Sequence, residues 1–290
     1  LLLPIACATP DDNDGPMTGK DLASAVLGGY SIGGINLGAA AGAAKNANEA
    51  YRDIPVDEEV AIGRSVSAGL LGAAPLTGDA LQQNYVNDLG MWLALQSGRP
   101  ELPWHFGILA APTVNAFATP GGNVFVTRGL VERCGNEAEL AGVLAHEIAH
   151  VVQKHQLADI RKNAKKGLML DLASLKSGGL TGDAARAFAR VGLEGYVRGL
   201  SREDELEADR IGVVIATRAG YEPYGLVSVL QTLQSMGQDD SAMAFFLKTH
   251  PSPSDRLAAL EVVMPPSFEK LAKPNPALAR FALVFKPTRK

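Results

Sequence analysis

His146-Glu147-Ile148-Ala149-His150 lies inside the run Glu137-Ala138-Glu139-Leu140-Ala141-Gly142-Val143-Leu144-Ala145, continued by Val151. The apolar spacing of this run predicts an α-helix. Residues four apart on a helix differ by about 40° in direction, so both imidazoles leave the same side, one turn apart. That placement suits two nitrogens on one tetrahedral Zn²⁺, and one zinc per chain is expected. Glu147 falls on the neighbouring stripe, within reach of a metal-bound water but not aimed as a third ligand. A carboxylate there takes the proton of that water and later passes it to a leaving amine. The chain holds only five histidines, so a chance match is a weak rival.

A helical wheel sorts the rest of this helix. Val143, His146, Glu147 and His150 share one face; Leu140, Leu144, Ile148 and Val151 share the other, the expected core side. Asn136 suits the N-cap, and Glu139 three residues on gives a capping-box pattern. His155 is nine residues from His146, about 180° away if the helix continues, and reads as a structural or surface histidine.

A third ligand has to come from elsewhere, and Ser201-Arg202-Glu203-Asp204-Glu205-Leu206-Glu207-Ala208-Asp209 is the obvious source. Ser201 caps a second helix. Glu205 and Asp209, four apart, share a face. Glu205 is expected as the ligand, with Asp209 behind it holding a ligand histidine. Glu203, Asp204 and Glu207 read as a solvated acidic first turn that suits the helix dipole.

Further out, residues 57–71 and 79–96 show helical spacing. Residues 105–109, 114–118 and 124–127 read as strands, the last two joined by a turn at Thr119-Pro120-Gly121-Gly122-Asn123. Residues 157–182 read as a mixed connection. Residues 183–219 read as helical, restarting at Ser201 and stopped by Tyr221-Glu222-Pro223. Shorter helices are expected near 224–237 and 253–262, with a loosely packed tail beyond. The domain reading is a polar tether over 1–20, a Gly/Ala-rich segment over 21–51, the catalytic domain over 52–264 and a tail over 265–290.

The composition is that of a globular chain: 47% hydrophobic, 20% charged and a net charge of −4. No basic stripe marks it for nucleic acid. Residues 22–44 are uncharged and carry Gly34-x-x-x-Gly38-x-x-x-Gly42, a spacing that lets helices approach closely in a membrane or in a soluble core. Leu1-Leu2-Leu3-Pro4-Ile5-Ala6-Cys7 reads as the end of an export signal, with cleavage either before a lipidated Cys7 or after Ala8. Membrane attachment is therefore expected through Cys7 or through 22–44. Cys134 is the other cysteine; if Cys7 is free, a bridge between the two is open.

These motifs resemble the zinc metallopeptidases that include the HtpX and CAAX prenyl proteases, and among them the exported, BepA-like bacterial branch. The likeness spans roughly 52–262. It rests on Asn115-Ala116-Phe117-Ala118-Thr119-Pro120-Gly121-Gly122, on the helix through His146-Glu147-x-x-His150, on Glu205-x-x-x-Asp209, and on Thr249-His250-Pro251 with Asp255-Arg256. It implies that Glu205 is the third ligand. It also implies that Asn115, Ala116, Phe117 and Ala118 form an edge strand able to pair with an extended substrate. For His250 it implies a place near the metal, either stabilising the developing oxyanion together with Arg256 or occupying the open coordination position and keeping the enzyme latent. The chain is too short for the C-terminal helical-repeat domain of longer relatives, so no adaptor role that depends on one is expected.

The expected fold is α+β: a mostly helical, gluzincin-type zincin domain with a small β-sheet beside the active-site helix. The expected function is zinc-dependent hydrolysis of internal peptide bonds. The resemblance implies misfolded or misassembled envelope polypeptides as substrates and a periplasmic lipoprotein at the outer membrane. One rival is a chaperone-like or binding module with an occluded structural zinc. A second is a hydrolase of small esters or amides, which the edge-strand motif disfavours.

Overall fold

The computed structural model describes residues 31–32, 35–36, 54–162, 199–237, 239–264, 268 and 277–285. Cys7, the stretch 183–198 and most of 22–44 and 157–182 lie outside these. The described residues fall in two compact units. In the first, Ser31–Ile32 pairs antiparallel with Ile35–Asn36. Ile35 and Asn36, inside the Gly-x-x-x-Gly stretch, are extended. Among the described residues no helix is long and apolar enough to cross a membrane.

The second unit is mostly helical with one small sheet, as the α+β expectation has it. Helix α1 (Val56–Ala73) opens with three acids, Asp57, Glu58 and Glu59, at its positive end. Helix α2 (Ala80–Ala94) is capped by Asp79, whose side chain accepts from the Leu81 and Gln82 amides. Strand β1 (His105–Leu109) runs parallel to β3 (Asn123–Thr127), and β2 (Ala116–Thr119) returns antiparallel to β3 in the register Phe117↔Phe125. The order β1-β3-β2 leaves β2 at an edge, against α3 (Glu137–Val152).

Strand β2 starts one residue later than Asn115. That side chain is spent locally: its Oδ1 accepts from the Ala116 amide, and its Nδ2 donates to Thr249 Oγ1. Asn136 caps α3 as expected, accepting from the Glu139 amide at 3.0 Å. The Glu139 carboxylate reaches one residue further back than a capping box requires, to the Gly135 amide at 2.7 Å.

The two-faced wheel of α3 needs correction. Every residue from Glu137 to Val151 is buried, so this helix is the centre of the domain and has no solvent face. Helix α4 (Arg202–Arg218) covers the metal side, and α5 (Gly225–Met236) packs near the N-terminal half. Both approaches depend on absent side chains. A Cβ at Gly212 would lie 2.9 Å from the His146 nitrogen, and one at Gly142 would lie 2.5 Å from that of Leu226. At the far end, buried Glu59 takes both Arg99 nitrogens at 2.8 and 2.9 Å and the Gly121 amide at 3.1 Å. Arg99 also donates to the Val151 carbonyl at 3.3 Å, which ties α1, the Pro120-Gly121 turn and the end of α3 together.

Helix α6 (Pro253–Val263), capped by Ser252, packs on α4 and α5. The expected loose tail is instead partly a docked helix, α7 (Ala277–Val284). Phe281 is 1% exposed and meets Tyr85 edge-on, with Phe285 packed beside it. Arg280 donates through two nitrogens to Glu137, the first residue of α3, which also accepts from the Tyr85 and Tyr221 hydroxyls.

Burial raises the Glu137 carboxyl, but Arg280, Tyr221 and Tyr85 outweigh that and hold it below the ordinary carboxylate range. A folded value below the unfolded one, about 4.3, gives stability that is fully present above that pH and is lost as the pH falls through the folded value. We expect Glu137→Gln to cost about 1 kcal/mol at pH 7, and clearly less at pH 3. Urea midpoints at the two pH values test this, and an equal cost at both would contradict it.

Candidate metal centre

Helix α3 presents His146 and His150 one turn apart, and α4 brings Glu205 across to meet them. One donor atom from each of the three lies within 4.8 Å of the others, and all three residues are buried. His146 Nε2 and His150 Nε2 stand 3.1 Å apart; the Glu205 carboxylate places Oε2 3.6 Å from the first and Oε1 3.5 Å from the second. Donors held at about 2.0–2.1 Å around a tetrahedral zinc are separated by roughly 3.3 Å, so the triangle has the size such an ion needs. The Glu205 Oε1 atom is buried without a hydrogen-bond partner. An orphaned carboxylate oxygen between two imidazoles is costly unless a cation takes it up, and the residues present fit that group.

The electrostatics agree. Burial holds His150 well below the ordinary imidazole range, against the pull of Glu205, so the ring is neutral and has a lone pair to give. Burial alone would raise Glu205, but His250 first, then His150 and His146, keep it well below the usual range and therefore ionised. Glu147, 2% exposed, is raised by burial, which outweighs the opposing pull of His146 and His250. A carboxylate raised in this way suits proton transfer near neutral pH.

Around this core the structure sorts the other expected residues. Asp209 Oδ1 lies 2.9 Å from His146 Nδ1. Burial acts against its ionisation, but Arg256 and then His146 hold its carboxyl below the usual range. Arg256 is buried behind the histidine: its Nε donates to Asp209 Oδ2 at 2.9 Å, and one terminal nitrogen reaches Oδ1. Its fork faces Asp209, the geometry of a clamp on the residue that holds His146 rather than of an oxyanion donor. His250 is at the site, with Nδ1 2.9 Å from Glu205 Oε2 and its ring stacked on Phe246. Burial would lower it; Glu205 outweighs that and raises it.

A cleft opens beside Glu147 and His150, lined among others by Phe117, Ala118, Gln156, Ile160, Leu200 and His250. Strand β2 thus faces the cleft, but Ala116, Phe117 and Ala118 are buried there, with Gly199–Leu200 and Thr249–His250 lining the same space. Gly199 has φ +75°, and a Cβ on it would lie 2.4 Å from the Thr249 carbonyl oxygen, so these two segments close on each other.

One residue here escaped the sequence reading, and a second was placed on the wrong side of its helix. The Gln156 amide oxygen is buried and unpartnered in the cleft lining. His155 is 6% exposed and places its Nδ1 2.9 Å from His150 Nδ1. The wheel failed for His155 because α3 does not continue: Lys154 adopts φ 58° and 155–162 starts a new helical segment. A glycine or asparagine at 154 would have signalled the break, whereas a lysine carries no such signal. Asp204 and Glu207, expected to be merely solvated, approach His155 Nε2 at 3.7 and 3.5 Å.

A model of peptidase family M48 matches residues 80–263. The beta-barrel assembly-enhancing protease of Escherichia coli (strain K12) is 33% identical over 215 residues, 71% of this chain and 43% of that protein. Its namesake in Yersinia pestis is 34% identical over 217 residues. The mitochondrial metalloendopeptidase OMA1 of Schizosaccharomyces pombe (strain 972 / ATCC 24843) is 34% identical over 182 residues, 62% of this chain and 52% of that one. The chain spans about half the length of these curated relatives.

Proposed function

Because the chain belongs to peptidase family M48, we propose that it hydrolyses internal peptide bonds with one zinc held by His146, His150 and Glu205. The observation that carries this reading is the triangle of those three donors with Glu147 beside it in a buried cleft. Zinc bound there would polarise the scissile carbonyl and lower the pKa of water at neutral pH. The chain's own residues do the rest. Glu147 accepts the proton of the attacking water and delivers it to the departing nitrogen. Asp209, clamped by Arg256, fixes the ring orientation of His146. Strand β2 receives an extended substrate by backbone pairing once the covering segments move aside.

The relatives' name, beta-barrel assembly-enhancing protease, supports misassembled envelope polypeptides as the substrate class. The small residue Ala6 before Cys7 in the apolar run Leu1-Leu2-Leu3-Pro4-Ile5-Ala6 supports export and anchoring to the outer membrane through Cys7. We infer that the His250-Pro251 loop keeps the resting site closed. In support, the His250 imidazole is 9% exposed and hydrogen-bonded to a ligand carboxylate, and Thr249 packs against Gly199 over the edge strand.

Cleavage of an unfolded protein such as reduced casein tests the reading. Wild type with one equivalent of zinc should cut, a chelator should stop it, and restored zinc should recover it. His250→Ala should cut faster at equal metal content. Metal-free protein that cuts as well as loaded protein would overturn the metal role, and a slower His250→Ala variant would overturn the closed-loop role.

A further inference from the structure

We propose that His155 is the positioning residue of the second metal histidine: it accepts the Nδ1 proton of His150 and so fixes the Nε2 lone pair of that ring toward the metal position. The inference rests on the metal reading above and deepens it.

Proton counting carries the argument. His150 Nδ1 and His155 Nδ1 are 2.9 Å apart, so one proton lies between them. His150 Nε2 is the nitrogen that faces His146 at 3.1 Å and Glu205 at 3.5 Å. A ligand nitrogen carries no proton, so the His150 proton is on Nδ1 and His155 Nδ1 accepts it. His155 then keeps its own proton on Nε2, the atom that faces Glu207 at 3.5 Å and Asp204 at 3.7 Å. Both ligand histidines are thereby held from behind, each by a different device: His146 by a carboxylate clamped by Arg256, and His150 by a second imidazole backed by the acidic first turn of α4.

The backbone adds a second, independent observation. His155 reaches His150 because the chain turns at Lys154 with φ 58°, a conformation L residues rarely adopt. A helix that simply continued would carry residue 155 to the far side of α3. The turn therefore brings a buried imidazole to the one nitrogen of His150 that the metal does not need.

Side-chain replacement separates this role from space filling. Asparagine places its Oδ1 where histidine has Nδ1, so His155→Asn keeps an acceptor for His150. His155→Phe keeps the bulk and offers none. Each full-length protein is loaded with one equivalent of zinc, and release to excess colorimetric chelator is timed; melting of the metal-free proteins is followed in parallel. We expect His155→Phe to release zinc about 10–100-fold faster than wild type, His155→Asn to stay within about 3-fold of it, and the metal-free melting points of the two variants to agree closely. Wild-type release from His155→Phe, or equal acceleration in both variants, overturns the proposal. Failure of wild type itself to take up zinc would instead sink the metal reading from which the proposal starts.

Discussion

Glu147→Gln should lower kcat on an unfolded protein substrate by about 10²–10⁴-fold while the zinc stays bound. The substitution keeps the shape of a side chain that is 2% exposed and removes only its ability to take a proton. Glu147 is not one of the three clustered donors, so metal content should stay at one per chain. Stability gives an independent check. Burial raises the wild-type carboxyl, which means the charged form is held at a cost. The neutral amide avoids that cost, so the variant should unfold at the same urea concentration or a higher one, as expected where function is bought with stability. A variant that loses zinc together with activity would show that Glu147 serves the metal, and the assigned proton transfer would fall.

Phe281→Ala should destabilise the protein by about 3–5 kcal/mol, the usual cost of truncating a fully buried aromatic ring. Phe281 forms a three-ring cluster with Tyr85 and Phe285, with centroids 6.3 and 4.9 Å from its own. The loss also loosens Arg280, one residue away, from Glu137 at the head of the metal helix. Urea unfolding of the zinc-loaded protein reads the effect. A cost below about 1 kcal/mol would mean that α7 does not dock in solution as described.

Much of the site was legible because its signals are local. His146, Glu147 and His150 declare themselves by helical spacing, and Ser201, Glu205 and Asp209 do so by cap and spacing. The strands at 105–109 and 124–127 followed from β-branched and aromatic runs bounded by Pro and Gly. What was missed depends on contacts distant in sequence or on backbone conformation. The complete burial of α3 is set by α4 and α5, and nothing within 137–152 distinguishes a half-buried helix from a central one except its small residues Ala141, Gly142, Ala145 and Ala149. Arg256 was read beside His250 at the developing oxyanion because its family position says only that it is near the metal; its commitment to Asp209 appears once α6 and α4 are side by side. Helix α7 was passed over because eight residues flanked by prolines look like a tail. Its Phe281 and Phe285, four apart on one face, were the available clue.

The Glu137 clasp has a temporal consequence. Its guanidinium partner is 143 residues further along the chain, a distance a ribosome covers in roughly 7–30 s at about 5–20 residues per second. Through that interval the emerging metal helix carries an inward-facing acid without its cation. This brace closes only once Arg280 has joined the chain, so it is added to a metal helix and a sheet whose own residues have already been made.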